Sequence, residues 1–87
     1  MATVHLPPSL RQLIGNAEPI SIQAGDVRDL VAQLTARYPA LSGRVTDERG
    51  VLRQHVKIFV NAELAGLEND LHEKDEVRIL PSISGGN

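Results

Sequence analysis

Two stretches near the carboxyl end decide the fold: Val56-Lys57-Ile58-Phe59-Val60-Asn61-Ala62-Glu63 and Asp75-Glu76-Val77-Arg78-Ile79-Leu80-Pro81. In the first, from His55 onward, Val56, Ile58 and Val60 fall on one side of an extended chain and Lys57 and Phe59 on the other, because side chains alternate along a strand. In the second, Val77 and Ile79 share a side and Arg78 and Leu80 the opposite one. His55–Val60 reads as a half-buried strand and Glu76–Pro81 as the last strand, with Val77 and Ile79 inward. Asn61-Ala62-Glu63 and Lys74-Asp75 read as turns, Asn being tolerant of left-handed backbone. Leu64, Leu67 and Leu71 are expected to decorate a short connection between the two strands.

Working outward, the best-defined element is a helix from Asp26 or Val27 to Arg37. Val27, Leu30, Val31 and Leu34 recur at i, i+3, i+4 and i+7, which makes one apolar stripe. Asp26 is placed to cap its start, Asp29 suits the positive end of the helix, and Pro39 stops it. Thr3-Val4-His5-Leu6, ended by Pro7-Pro8, reads as the first strand, and Pro19-Ile20-Ser21-Ile22-Gln23 as a second strand paired with it. Between them Ser9–Ile14 carries a helical turn or a packed loop. Residues 40–54, rich in charge and turn formers, read as a loop with about one helical turn, anchored by Leu41, Val45 and Leu52. The order is hairpin, helix, strand, connection, strand. A right-handed crossover then sets the first and last strands side by side in the middle of the sheet. This is an α+β fold of the β-grasp, ubiquitin-like kind: a mixed sheet of about four or five strands packed on one main helix. Residues 1–81 form the domain and 82–87 a flexible tail.

Composition narrows the function classes. The chain has 87 residues, 41% hydrophobic and 23% charged, with a net charge of −2. A single domain of this size buries roughly 60–65% of its unfolded surface. Tyr38 and Phe59 are the only aromatics, so the core is aliphatic. There are no cysteines, which excludes disulfides, thiolate catalysis and Cys-based metal sites. His5, His55 and His72 have no ligand spacing, so no metal site is expected. No nucleophile stands with a base, so no catalytic residue is expected. Charges of both signs are scattered without a basic patch, which argues against nucleic acid. No apolar run spans a membrane and Met1–His5 has no secretory pattern, so the expected location is cytoplasmic. The carboxylates Asp47, Glu48, Asp70, Glu73, Asp75 and Glu76 are expected in loops and turns, solvated or facing a basic partner.

After Pro81 come Ser82, Ile83, Ser84, Gly85, Gly86 and Asn87. Six extended residues reach about 20 Å. Glycine has no Cβ, so Ser84, Gly85 and Gly86 suit threading into a channel too narrow for other residues. Ordering all six residues costs on the order of 6–12 kcal/mol. A docking surface on the domain must therefore supply most of the affinity. Phe59 and Leu80, on the sheet side opposite Ile58 and Ile79, are the candidates for it.

The quoted stretches, ending in Ser82-Ile83-Ser84-Gly85-Gly86, resemble the MoaD/ThiS family of ubiquitin-like sulfur carriers. The family pattern is a strand, "VNGE", "GDEV-x-ILP" and a diglycine. The helix and Tyr38-Pro39 match as well, and the charged segment before His55 resembles the carriers of cysteine biosynthesis more than the shorter thiamine-type carriers. The resemblance implies a protein that is not an enzyme. An adenylyltransferase of the ubiquitin-activating type, using ATP and Mg²⁺ that this chain does not itself bind, would convert the Gly86 carboxylate to an acyl-adenylate and then a thiocarboxylate. A sulfur-acceptor enzyme of cysteine, molybdopterin or thiamine biosynthesis would take the sulfur. A ubiquitin-like protein modifier and a non-catalytic binding module are the alternatives.

Three positions depart from the pattern. Ala62 and Lys74 stand where the family has turn glycines, which is tolerable if those turns do not demand positive φ. Asn87 follows Gly86, so Gly86 holds a peptide carbonyl and not a free carboxylate. The carrier chemistry then needs the Gly86–Asn87 bond cut first. The resemblance implies this from those family members that carry extra residues after the diglycine and are trimmed by a JAMM-type zinc metalloprotease. The alternative is a family member that has lost the chemistry.

Overall fold

The computed structural model describes residues 1–15 and 19–81. Strands β1 (Ala2–His5), β2 (Ile20–Ile22), β3 (Val56–Val60), β4 (Glu63–Ala65) and β5 (Glu76–Pro81) form one sheet in the order β2-β1-β5-β3-β4. β1 and β5 pair in parallel at the centre, and every other pair is antiparallel. Helix α1 (Pro8–Arg11) runs into a 3₁₀ turn, Gln12–Ile14, and helix α2 (Val27–Arg37) covers one face of the sheet.

The stripe on α2 accounts for that packing. Val27, Leu30, Val31 and Leu34 are buried, and they meet Val4, Ile20, Ile22, Ile58, Val77 and Ile79 from the inner sides of the strands. Asp26 caps the helix: its carboxylate accepts from Asp29 N at 2.8 Å, with its own backbone extended at φ −151°. The next N–H groups, which have no partner inside a helix, donate outside it. Val27 N donates to Asn69 O and Arg28 N to Leu67 O, each at 3.0 Å. The connection after β4 is thus tied to the helix start, with Leu67 and Leu71 buried beneath it.

Two sequence expectations change, and one open alternative is decided. Leu64 lies in β4, a fifth strand, and not in a bare connection. The segment Ser9–Ile14 is helical, beginning one residue earlier at Pro8, which suits a first helical turn. The condition set on Ala62 and Lys74 fails: φ is 82° at Ala62, 69° at Lys74 and 53° at Asn61. Both turns require the left-handed backbone that glycine adopts freely and other residues adopt at a cost.

Candidate functional site

Among the described residues β5 is the central strand, between β1 and β3, and the last element before the carboxyl-terminal residues. Its parallel register with β1 runs through His5↔Arg78, and its antiparallel register with β3 runs on to Val56↔Pro81. The last three residues of β5 therefore pair with β3 alone, because β1 gives way to Leu6, Pro7 and α1. Beyond Pro81, the residues singled out for threading and processing, Ser84, Gly85, Gly86 and Asn87, lie outside the described residues.

The same registers build the outer sheet face. Arg78 stands beside His5 on one side and Phe59 on the other, and Phe59 stands beside Leu64 of β4. Leu80 stands beside Lys57. Phe59 and Leu80 thus share this face, as their alternation requires. Leu80 is 41% exposed and Phe59 is half-buried. The structure adds Leu64, 64% exposed, as a third apolar residue. Its signal in the sequence was faint, since a three-residue strand shows barely one cycle of alternation. Phe59, Leu64 and Leu80 form an apolar strip with the cations Lys57 and Arg78 set among them. At its far edge His5 Nε2 lies 2.6 Å from Glu76 Oε1.

Two of the carboxylates expected to be solvated or to face a basic partner, Asp75 and Asp47, also hold turns together. Asn61 Nδ2 donates to Asp75 Oδ1 at 2.8 Å, and Asn61 Oδ1 accepts from Glu76 N at 2.9 Å. Asp75 Oδ2 accepts from His72 N at 2.8 Å. That backbone bond first, and the Asn61 amide second, hold the Asp75 carboxyl below its ordinary range. In the 42–54 loop, Asp47 accepts from the Arg49 side chain and from Val51 N and Arg49 N, and its carboxyl is likewise lowered, the Arg49 side-chain bond leading. No group of three or more His, Asp or Glu side chains is placed to hold a metal ion among the described residues. No helix there is long and apolar enough to cross a membrane.

In the sequence the diglycine follows the central strand β5, and an exposed apolar strip lies on the outer face of the same sheet. The model of the ThiS family matches residues 4–86. The sulfur carrier protein CysO of Mycobacterium tuberculosis is 32% identical over 90 residues, covering 97% of each chain. Small archaeal modifier protein 1 of Haloferax volcanii is 35% identical over 60 residues, 69% of each. Among solved structures, that of the Amycolatopsis orientalis BexX/CysO complex superposes with a TM-score of 0.86 at 26% identity, covering 99% of this chain and 100% of the other. The chain belongs to the ThiS family and is a MoaD/ThiS-type ubiquitin-like sulfur carrier.

Proposed function

We propose that Gly86, once the Gly86–Asn87 bond is cut, is the residue that carries sulfur. The observation that supports this most is the continuity of the family match from the central strand β5 through residue 86. An adenylyltransferase of the ubiquitin-activating type joins the Gly86 carboxylate to the α-phosphate of ATP, with release of pyrophosphate. Sulfide equivalents then displace AMP to leave a thiocarboxylate, which passes its sulfur to an acceptor enzyme. ATP and Mg²⁺ belong to the activating enzyme. This chain provides the end group, a segment narrow enough to enter a closed site, and a face to dock by. The similarity to CysO over nearly the full length favours cysteine biosynthesis as the destination.

The chemistry is tested with a form ending at Gly86, incubated with ATP, Mg²⁺, a sulfur source and the cognate activating enzyme. Exchange of oxygen for sulfur adds about sixteen daltons to the intact mass. No gain would refute the carrier role. Intact mass of the protein from its native cells tests the cut: a species ending at Asn87, with no shorter or sulfur-bearing form, would remove it.

The similarity to a small archaeal modifier supports a second reading, in which the same activated glycine is joined to a lysine of another protein. Peptide mapping of proteins that gain the chain's mass separates the two.

A further inference from the structure

We propose that the docking face continues past the outer strip into a pocket that takes an apolar side chain, flanked by carboxylates, from a partner protein. The pocket, about 290 Å³, is walled by Leu10 and Leu13 from the α1 turn and by Val56, Ile79 and Leu80 from the strands. Ile79 and Leu80 come from opposite sides of β5, so the pocket lies at the strand's end and belongs to neither face alone. Leu80 also belongs to the outer strip with Phe59 and Leu64, which makes pocket and strip continuous. Leu13 is 39% exposed and Leu80 41%, so the mouth is wide. An open pocket at the lower end of the small-ligand range, roughly 300–1,000 Å³, suits one inserted side chain better than a whole ligand. Such anchors are where interface energy concentrates.

The charge of the occupant follows from what lines and borders the pocket. Arg44 and His55 stand in its wall, and no acidic residue does. Among the described residues neither side chain has a hydrogen-bond or ion-pair partner. Lys57, beside Leu80, and Arg78, beside Phe59, also pair with no carboxylate there. Glu76, at the edge of the strip, is held by His5 at 2.6 Å. A chain whose net charge is −2 thus gathers Arg44, Lys57 and Arg78, unpaired, around a continuous apolar surface. Arginine and lysine only donate, so what meets them must accept. A partner that presents an apolar anchor among Asp or Glu side chains is complementary in both respects.

The inference deepens the docking role proposed above. Its test uses no ATP, sulfur source or activating enzyme, so its failure is distinct from failure of the carrier chemistry. The probes are three acetylated and amidated tripeptides, Glu-Phe-Asp, Lys-Phe-Lys and Glu-Ala-Asp, titrated into the isotope-labelled full chain and followed by NMR. Glu-Phe-Asp is expected to shift the Leu10, Leu13, Val56 and Leu80 methyl resonances saturably, with a Kd of about 1–10 mM. The other two should bind at least about tenfold more weakly, one for its charge and one for its missing anchor. Arg44→Gln, at an exposed position, should weaken Glu-Phe-Asp binding about threefold. Shifts that do not saturate, equal affinity for the acidic and basic peptides, or full affinity in Arg44→Gln would each overturn the proposal. Saturable shifts confined to the Leu64 end of the strip would overturn the pocket as the anchor point.

Discussion

The side-chain amide of Asn61 donates to Asp75 Oδ1 at 2.8 Å and joins the β3–β4 turn to the β4–β5 turn. Asn61 also takes Glu76 N at 2.9 Å through its oxygen and sends its backbone N–H to Glu76 O at 2.8 Å. The Asn and Asp of the family pattern thus serve to clamp the start of β5, the strand that precedes the diglycine in the sequence. Asn61→Ala removes two side-chain bonds in an exposed setting and should cost about 1 kcal/mol in urea unfolding. Asn61→Gly, which suits the φ of 53°, should remain below wild type because the bonds matter more than the backbone. Equal stability of Asn61→Gly and wild type would refute the clamp.

Asp75 and Asp47 give the stability a defined pH dependence. Both carboxyls are held below the ordinary 3.8 in the folded chain. A folded value below the unfolded one means the unfolded chain binds protons first as the pH drops. Their stabilisation is therefore complete well above 3.8 and is lost as the pH falls through the folded values. The urea midpoint, followed from neutral pH down to pH 2, should fall below about pH 4. Asp75→Asn should be less stable at neutral pH and flatter through the acid range.

The positive φ angles predict a gain. Ala62 at 82° and Lys74 at 69° occupy backbone that disfavours a Cβ by roughly 1–2 kcal/mol. Glycine relieves this and loses about 0.5–1 kcal/mol to the freedom of the unfolded chain. Ala62→Gly and Lys74→Gly should each therefore raise stability by about 0.5–1 kcal/mol. A lower melting temperature for either would contradict the strain.

These turns also mark where sequence reading stops. β5 was legible to the residue, and β3 and α2 nearly so, because five to eleven residues hold enough apolar periods to separate 2 from 3.6. β4 was not, since Glu63-Leu64-Ala65 is too short for a period and the spacing of Leu64, Leu67 and Leu71 imitates a helix. The handedness of a turn follows from how its two strands meet, which no local residue type dictates once Ala and Lys replace glycine. The outer face was half legible: alternation put Phe59 and Leu80 on it, while Leu64 joined only through the Phe59↔Leu64 register.

That register yields a prediction about docking. Phe59→Asp, Leu64→Asp and Leu80→Asp each set a charge in an apolar strip and should weaken binding to the proposed activating enzyme about tenfold or more. Leu64 and Leu80 are exposed, so the circular dichroism spectrum should be unchanged in those variants. Ser21→Asp, exposed on the opposite edge strand, should bind as wild type. Loss of folded signal in Leu64→Asp and Leu80→Asp would assign them to the core instead.

The inner face of the same strands should respond in the opposite way. Ile58 and Ile79 are fully buried and stand side by side across β3 and β5, beneath α2. Truncating either to alanine removes several methyl or methylene groups and leaves a cavity the close-packed sheet cannot fill, a loss of about 2–5 kcal/mol. A small domain has on the order of 5–15 kcal/mol in all, so one such change consumes much of it. Because the pair are neighbours, the double variant should depart from the sum of the singles by about 0.5 kcal/mol or more. The same variants, tested under conditions where they remain folded, should bind the activating enzyme as wild type does. Parallel losses of binding and stability would place the docking determinants inside the sheet rather than on the Phe59, Leu64 and Leu80 strip.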